Sequence, residues 1–218
     1  MTTTFTGPEC KEEGDQVLLV EGKDDCYVVW HLLKSRGIDK NFGIYECGSY
    51  EGILRRLNAL ISSSQKLHAI GVVLDANQKG VLPRWQSIKD KLKGRYSYAF
   101  PKAVSREGTV IESTDAEPKL GVWIMPDNVG PGSLEDFFLK LVPEEELRVV
   151  DRAVKLGEEA GVARFKPVHR SKALIHTYLA WQDEPGSPMG LSITRGKLPS
   201  EGTSADIFVE WLQRLFGF

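Results

Sequence analysis

Gln16-Val17-Leu18-Leu19-Val20-Glu21-Gly22-Lys23-Asp24-Asp25 joins an apolar run directly to a cluster of acids. Four consecutive apolar residues, Val17 to Val20, are too few for a buried helix and too continuous for a half-exposed strand, so they predict a central strand covered on both faces. Glu21 stands at its carboxyl edge. Gly22 is read as letting the chain turn without a Cβ clash, and Asp24 and Asp25 open a helix whose first turn favours negative side chains. In an open α/β sheet, ligands bind at the carboxyl edge of the strands, which makes Glu21 a candidate site residue.

Working outward, the pattern repeats. A helix is expected over 24–36, closed by Gly37. A weaker strand over 42–47 and a helix over about 50–62 follow, then an apolar strand over 68–74 that ends in Asp75-Ala76-Asn77. Three βα steps in a row imply a parallel sheet. A helix is expected over 83–92, an extended excursion or hairpin over 96–111, and a fourth strand over 121–125 that ends in Pro126-Asp127-Asn128. Ser133 with Asp136 has the spacing of a capping box. Beyond Pro143 the chain reads as helices over 144–159, 169–181 and 205–216, with a Pro/Gly-rich connection through Pro199. The expected organisation is a mobile arm (1–15) and a single domain (16–218). Within that domain lie a core (16–142), an insertion (about 80–120) and a helical extension (143–218).

The net charge of −2 and pI near 6.1 exclude a protein that coats nucleic acid through overall positive charge, while allowing a local basic groove. No segment approaches the roughly 18 apolar residues a membrane span needs, so a cytoplasmic protein without membrane contact is expected. Cys10, Cys26 and Cys47 are odd in number with no C-x-x-C spacing, and are read as free thiols of a reducing compartment. Trp30, Trp123, Trp181 and Trp211 lie on apolar faces and read as core, and Trp85 is undecided.

Three strands deliver acids to one sheet edge: Glu21, Asp75 with Asn77, and Asp127 with Glu135 beyond it. Carboxylates that converge repel unless a cation neutralises them, and oxygen donors favour Mg²⁺ or Mn²⁺. Each acid has a plainer reading beside this one. Glu21 and Asp25 could serve the helix dipole, Asp75-Ala76-Asn77 could be an ordinary turn, and Ser133 and Glu135 could be a cap and a solvated first-turn acid.

The spacing Val20-Glu21-Gly22-Lys23-Asp24-Asp25, followed after two βα units by Leu74-Asp75-Ala76-Asn77, resembles a TOPRIM domain, the metal-binding catalytic fold of topoisomerases, primases and several nucleases. The order Glu-Gly-x-x-Asp, Asp-x-Asp, Ser-x-Glu and a downstream lysine is similar to that of the overcoming-lysogenization-defect (OLD) nucleases. Trp-Ile-Met-Pro-Asp-Asn (123–128), Leu-Glu-Asp-Phe (134–137) and His-Thr-Tyr-Leu-Ala-Trp (176–181) further resemble a group of uncharacterised prokaryotic TOPRIM-like proteins.

This resemblance implies a four-stranded parallel sheet flanked by helices, and Mg²⁺ or Mn²⁺ held by Glu21, Asp25, Asp75, Asn77 and Glu135. It further implies Glu21 and Lys172 as catalytic groups, with Gly22, Lys23, Asp127, Ser133, His169, Arg170 and His176 supporting the site or the substrate. Asn77 stands where the family has a second aspartate, which removes an anionic ligand and leaves Glu21, Asp75 and Glu135 for one metal. The chain carries no ATPase module and no zinc ribbon, so primase and topoisomerase activities are not expected.

His169, Lys172 and His176 are expected on one helix face, opposite a buried side carrying Leu174, Tyr178 and Trp181. The two histidines are about 10 Å apart along the axis, too far to share a metal. From Arg148 to Lys172 there are seven Lys or Arg against three Asp or Glu. That excess could steer a phosphate backbone or be simply a solvated face. Three functions stay open: a Mg²⁺-dependent phosphodiester hydrolase acting on DNA or RNA; a non-catalytic module binding nucleic acid, nucleotide or protein; and one component of a phage-defence or mobile-element system.

Overall fold

A computed structural model describes residues 8–11, 14–63, 66–113 and 117–218. The strands are β1 (Gln16–Val20), β2 (Gly43–Glu46), β3 (Ala69–Asp75), β4 (Thr109–Ile111) and β5 (Lys119–Met125). The helices are α1 (Lys23–Ser35), α2 (Tyr50–Ile61), α3 (Val81–Leu92), α4 (Leu134–Leu139), α5 (Glu144–Glu159), α6 (Arg170–Ala180), α7 (Met189–Thr194) and α8 (Thr203–Phe216). One sheet runs β2-β1-β3-β5-β4, parallel except for β4.

The protein is thus α/β, with a mostly parallel sheet flanked by helices. The expected four strands become five, because the insertion returns along β5 and pairs Thr109–Ile111 antiparallel with Leu120–Val122. Three residues, with a glycine before them and Trp211 over them, carry too short a periodicity to be read as a strand from sequence. Helix α7 also lies inside what reads as a Pro/Gly-rich connection.

Strand alternation divides the core into two layers. Val17, Leu19, Ile70, Val72, Leu74, Leu120, Val122 and Ile124 face Ile53, Leu57 and Leu60 of α2 and Trp85, Ile88 and Leu92 of α3. On the other side Leu18, Val20, Val73, Trp123 and Met125 meet α1 and the C-terminal helices. Gly71 and Gly121 are register partners on that second face. A Cβ on Gly121 would lie 2.3 Å from Leu215 Cδ2 and one on Gly71 2.9 Å from the same atom, so α8 rests on a glycine floor. Trp211 of α8 donates from Nε1 to the Thr109 carbonyl (3.1 Å), tying the extension to the edge strand.

Trp85, Trp123 and Trp211 are fully buried, and Trp30 is half-buried. Trp181 is 53% exposed, contrary to its expected core position, because α6 ends at Ala180 and the chain turns away into solvent. His31 is buried on α1, its Nδ1 2.5 Å from Thr194 Oγ1 of α7. Burial, then the nearby Lys34 charge, lowers its pKa to about 4.

Cysteine pairing differs from expectation. Cys10 and Cys26 form a disulfide, and only Cys47 is a free thiol. The pair is 16 residues apart in sequence and meets because the segment before β1 crosses β2. Spacing cannot reveal such a contact, and the cysteine count no longer points to a reducing compartment. Of the expected mobile arm, residues 1–7 and 12–13 lie outside the described residues, whereas Cys10 and Lys11 lie against β2. No helix among the described residues is long and apolar enough to cross a membrane.

Candidate functional site

The carboxyl ends of β1 and β3 lie side by side, and the first turns of α1 and α4 open above them. Glu21 follows the last residue of β1, and its Oε1 accepts from the backbone N–H of Asp75 at 3.0 Å. Asp25 sits in the first turn of α1, with Oδ2 accepting from Gly22 N–H at 2.9 Å. Asp75 ends β3, and its Oδ1 accepts from Leu134 N–H, the first residue of α4, at 3.1 Å. Glu135 is the next residue of α4; its Oε2 accepts from the Ser133 hydroxyl at 2.7 Å, and its Oε1 is 3.7 Å from Lys172 Nζ. Four carboxylates from β1, α1, β3 and α4 therefore gather at one place.

The electrostatics bear the mark of that gathering. Asp75 has its pKa raised to about 8, first by burial, then by the charges of Asp25, Glu21 and Glu135, against the opposing Leu134 N–H. Asp25 is raised to about 7 by burial and by Glu21 and Glu135, although the Gly22 N–H bond opposes the rise. Glu21 is raised as well, mainly by burial and slightly by Glu51 of α2, with the Asp75 N–H and Arg84 pulling the other way. Buried like charges disfavour full ionisation, so the group holds protons at neutral pH or awaits a counter-charge.

Asn77 serves the site through its backbone. It takes the left-handed conformation (φ 53°), which asparagine tolerates better than most residues. Its N–H donates to the Gly132 carbonyl at 2.7 Å and its carbonyl accepts from Gly132 N–H at 3.1 Å. This bridge brings the loop before α4 against the end of β3, which places Leu134 N–H at Asp75.

Ser133 belongs to a chain of polar contacts that reaches α6. Ser171 Oγ donates to Asp136 Oδ1 at 2.6 Å, and Asp136 Oδ2 accepts from Ser133 N–H at 2.9 Å. Beside it lies a hollow of about 230 Å³, lined among others by Asn77, Pro131, Ser133, Asp136, Val168 and Ser171.

Other expected residues stand apart. Asp127 closes its own turn, accepting from Val129 and Gly130 N–H at 3.1 and 2.8 Å, and pairs with Lys140 at 3.1 Å. Burial works upward on its pKa, but the Gly130 N–H and Lys140 outweigh it and hold the carboxyl below its usual value. Arg170 is engaged by Asp151 (2.9 Å) and Glu158 (3.1 Å), which bind α6 to α5. His169, His176 and Lys23 are exposed.

Gly22 is extended (φ −136°, ψ 176°), a conformation open to any residue, and an added Cβ would meet Asp25 Oδ2 at an ordinary 3.4 Å. The chain does bend between β1 and α1 there, but neither the backbone nor the space around Gly22 depends on the missing Cβ. Two further residues escape the sequence pattern. Arg84 of α3 donates from Nε to the Asp75 carbonyl at 2.9 Å, with its guanidinium 4.0 Å over the Tyr50 ring. It brings the nearest positive charge on the Glu21 side, yet nothing in a Pro-Arg-Trp helix start signals that role. Ser171 is the second, one residue before the lysine that drew attention to α6.

As the side chains stand, no group of three or more His, Cys, Asp or Glu among the described residues is arranged to hold a metal ion. The donors are nevertheless all oxygens, the chemistry that hard divalent ions prefer, and such an ion would displace the proton that the raised Asp75 carboxyl holds.

Comparison with the curated proteins and with the solved structures returns no match. Residues 15–217 match the model of a family described as "Protein of unknown function (DUF3226)", and the chain belongs to that family.

Proposed function

We propose that the chain is a divalent-cation-dependent phosphodiester hydrolase of TOPRIM type, acting on DNA or RNA. The observation that carries this reading is the convergence of Glu21, Asp25, Asp75 and Glu135 at the carboxyl ends of β1 and β3, where burial and neighbouring acids raise Asp25 and Asp75 to about 7 and 8. Buried carboxyl groups that raise one another's pKa are costly to a fold, and they concentrate where chemistry is done.

Glu21, Asp75 and Glu135 would hold Mg²⁺ or Mn²⁺, with Asp25 in support. When bound, the ion supplies charge neutralisation and polarises a phosphoryl oxygen. Glu21 takes a proton from the attacking water as general base. Lys172, anchored 3.7 Å from Glu135, stabilises negative charge that develops on the phosphoryl group. Arg84 holds the end of β3 in place through the Asp75 carbonyl. The loop bridge through the Asn77 backbone keeps α4 in register with β3.

The test is cleavage of single- and double-stranded DNA and RNA with Mn²⁺ or Mg²⁺, comparing wild type with Glu135→Ala. The expected outcome is metal-dependent cleavage that falls at least about 100-fold in the variant. Equal cleavage by the two proteins would sink the proposal.

One observation favours a second reading, a non-catalytic module that binds nucleic acid, nucleotide or protein: no three of the acids are disposed as ligands. For nucleic acid, a salt-sensitive gel shift that survives EDTA, with no turnover under either metal, would select it.

A further inference from the structure

Strand β2 lies at one edge of the sheet, and an edge strand presents unpaired backbone groups to any chain that can add to it. Here the segment before β1 is the cover. Lys11 forms an antiparallel bridge with Tyr45, and Glu46 N–H donates to the Cys10 carbonyl at 2.8 Å. Lys11 Nζ lies 3.3 Å from Glu46 Oε2 and 4.7 Å from the centre of the Tyr45 ring, and it donates to the Glu46 carbonyl. Most of these contacts depend on one exposed lysine, and surface ion pairs hold weakly. The strong tie is covalent: Cys10 is bonded to Cys26 in the first turns of α1, next to Asp25.

The two sulfurs differ in access. Cys26 is 0% exposed within the core, whereas Cys10 is only half-buried. Exchange therefore has one open route, attack on Cys10 Sγ. A disulfide that fixes a short surface segment, rather than joining two core elements, can open without exposing the core.

We propose that Cys10–Cys26 is a redox latch that holds Cys10 and Lys11 over the edge of β2, and that a dithiol reductant releases that edge. A thiolate of the dithiol attacks Cys10 Sγ. The Cys10–Cys26 bond breaks, its electron pair leaves on Cys26 Sγ, and that sulfur takes a proton. The second thiolate of the reductant displaces Cys10 Sγ, which leaves with its electron pair and takes the dithiol's second proton, so the protein gains two thiols and the reductant ends as a cyclic disulfide. The latch lies beyond the proposed hydrolase activity and does not depend on it.

The test uses the full chain with and without dithiothreitol, with no metal and no nucleic acid. Thiols are counted by alkylation in denaturant, amide exchange is followed by mass spectrometry, and Cys10→Ser and Cys47→Ser are run in parallel. The expected count is one thiol before reduction and three after. Exchange should quicken roughly tenfold or more at the Glu46 amide, which donates to the Cys10 carbonyl, while β3 and β5 stay protected. Cys10→Ser should show the fast pattern without reductant, and Cys47→Ser should respond as wild type does. Three thiols before reduction, or the same exchange in both states, would overturn the latch. Faster exchange throughout the chain on reduction would also overturn it, since the bond would then be a staple of the whole fold.

Discussion

Replacing Asp75 by asparagine should stabilise the metal-free protein, and the gain should depend on pH. Asp75 Oδ1 accepts from Leu134 N–H, and an asparagine carbonyl keeps that bond while removing the charge. The wild-type carboxyl has its pKa raised to about 8 by burial and by Asp25, Glu21 and Glu135, against about 3.9 in an unfolded chain. The folded state thus holds a proton that the unfolded state has released. Relative stability is fullest below about pH 4, falls as pH rises, and levels off above about pH 8, at no more than about 1.4 kcal/mol per pH unit. From pH 4 to pH 7 that is at most about 4 kcal/mol, and less to the extent that Asp25 shares the proton.

The assay is urea unfolding of wild type and Asp75→Asn in EDTA at pH 4.5, 6, 7 and 8. The two should be nearly equal at the lowest pH and diverge in favour of the variant as pH rises. Distant carboxylates titrate alike in both proteins, so the difference reports Asp75 together with the acids coupled to it. Added Mn²⁺ should stabilise wild type more than the variant. Parallel curves across the range, or a variant less stable than wild type at pH 8, would refute the argument that these acids are strained by one another.

Gly121→Val should cost at least about 2 kcal/mol, because its Cβ would lie 2.3 Å from Leu215 Cδ2 on the floor under α8; an unchanged urea midpoint would contradict this packing. His31, lowered to about 4 from a reference near 6.5, stays neutral in the fold while the unfolded chain takes a proton, so its contribution is complete above about pH 6.5 and is lost as pH falls toward 4. Thr194→Val removes the 2.5 Å contact to His31 Nδ1 and should cost about 1 kcal/mol, read as a lower thermal midpoint at pH 7. Ser171→Ala removes the 2.6 Å bond to Asp136 and should cost about 1 kcal/mol, with a loss of any metal-dependent activity smaller than that of Glu135→Ala.

Much of the architecture was legible in the chain. The apolar runs at Val17–Val20, Ala69–Leu74 and Leu120–Met125 mark three central strands because burial on both faces leaves no room for polar alternation. The amphipathic spacing of α2, α5 and α8 marks helices by the same logic of one buried stripe. Acids at the ends of two strands and in the first turns of two helices were legible too, since residue type and position relative to a strand end are local properties.

What the chain alone does not determine is which distant groups meet. Asp127 and Asp75 look alike in sequence, each ending a strand before a turn. Asp127 folds back on Gly130 and Lys140, while Asp75 is pressed among three other carboxylates. Asn77 reads as a lost ligand, but its left-handed backbone and its bridge to Gly132 show a structural duty that no spacing rule conveys. Cys10 finds Cys26 only because the segment before β1 crosses the sheet edge. Local sequence sets secondary structure and the supply of charge; strand order, loop bridges and helix docking set the distances, and through them decide which charges are shared, satisfied or left in strain.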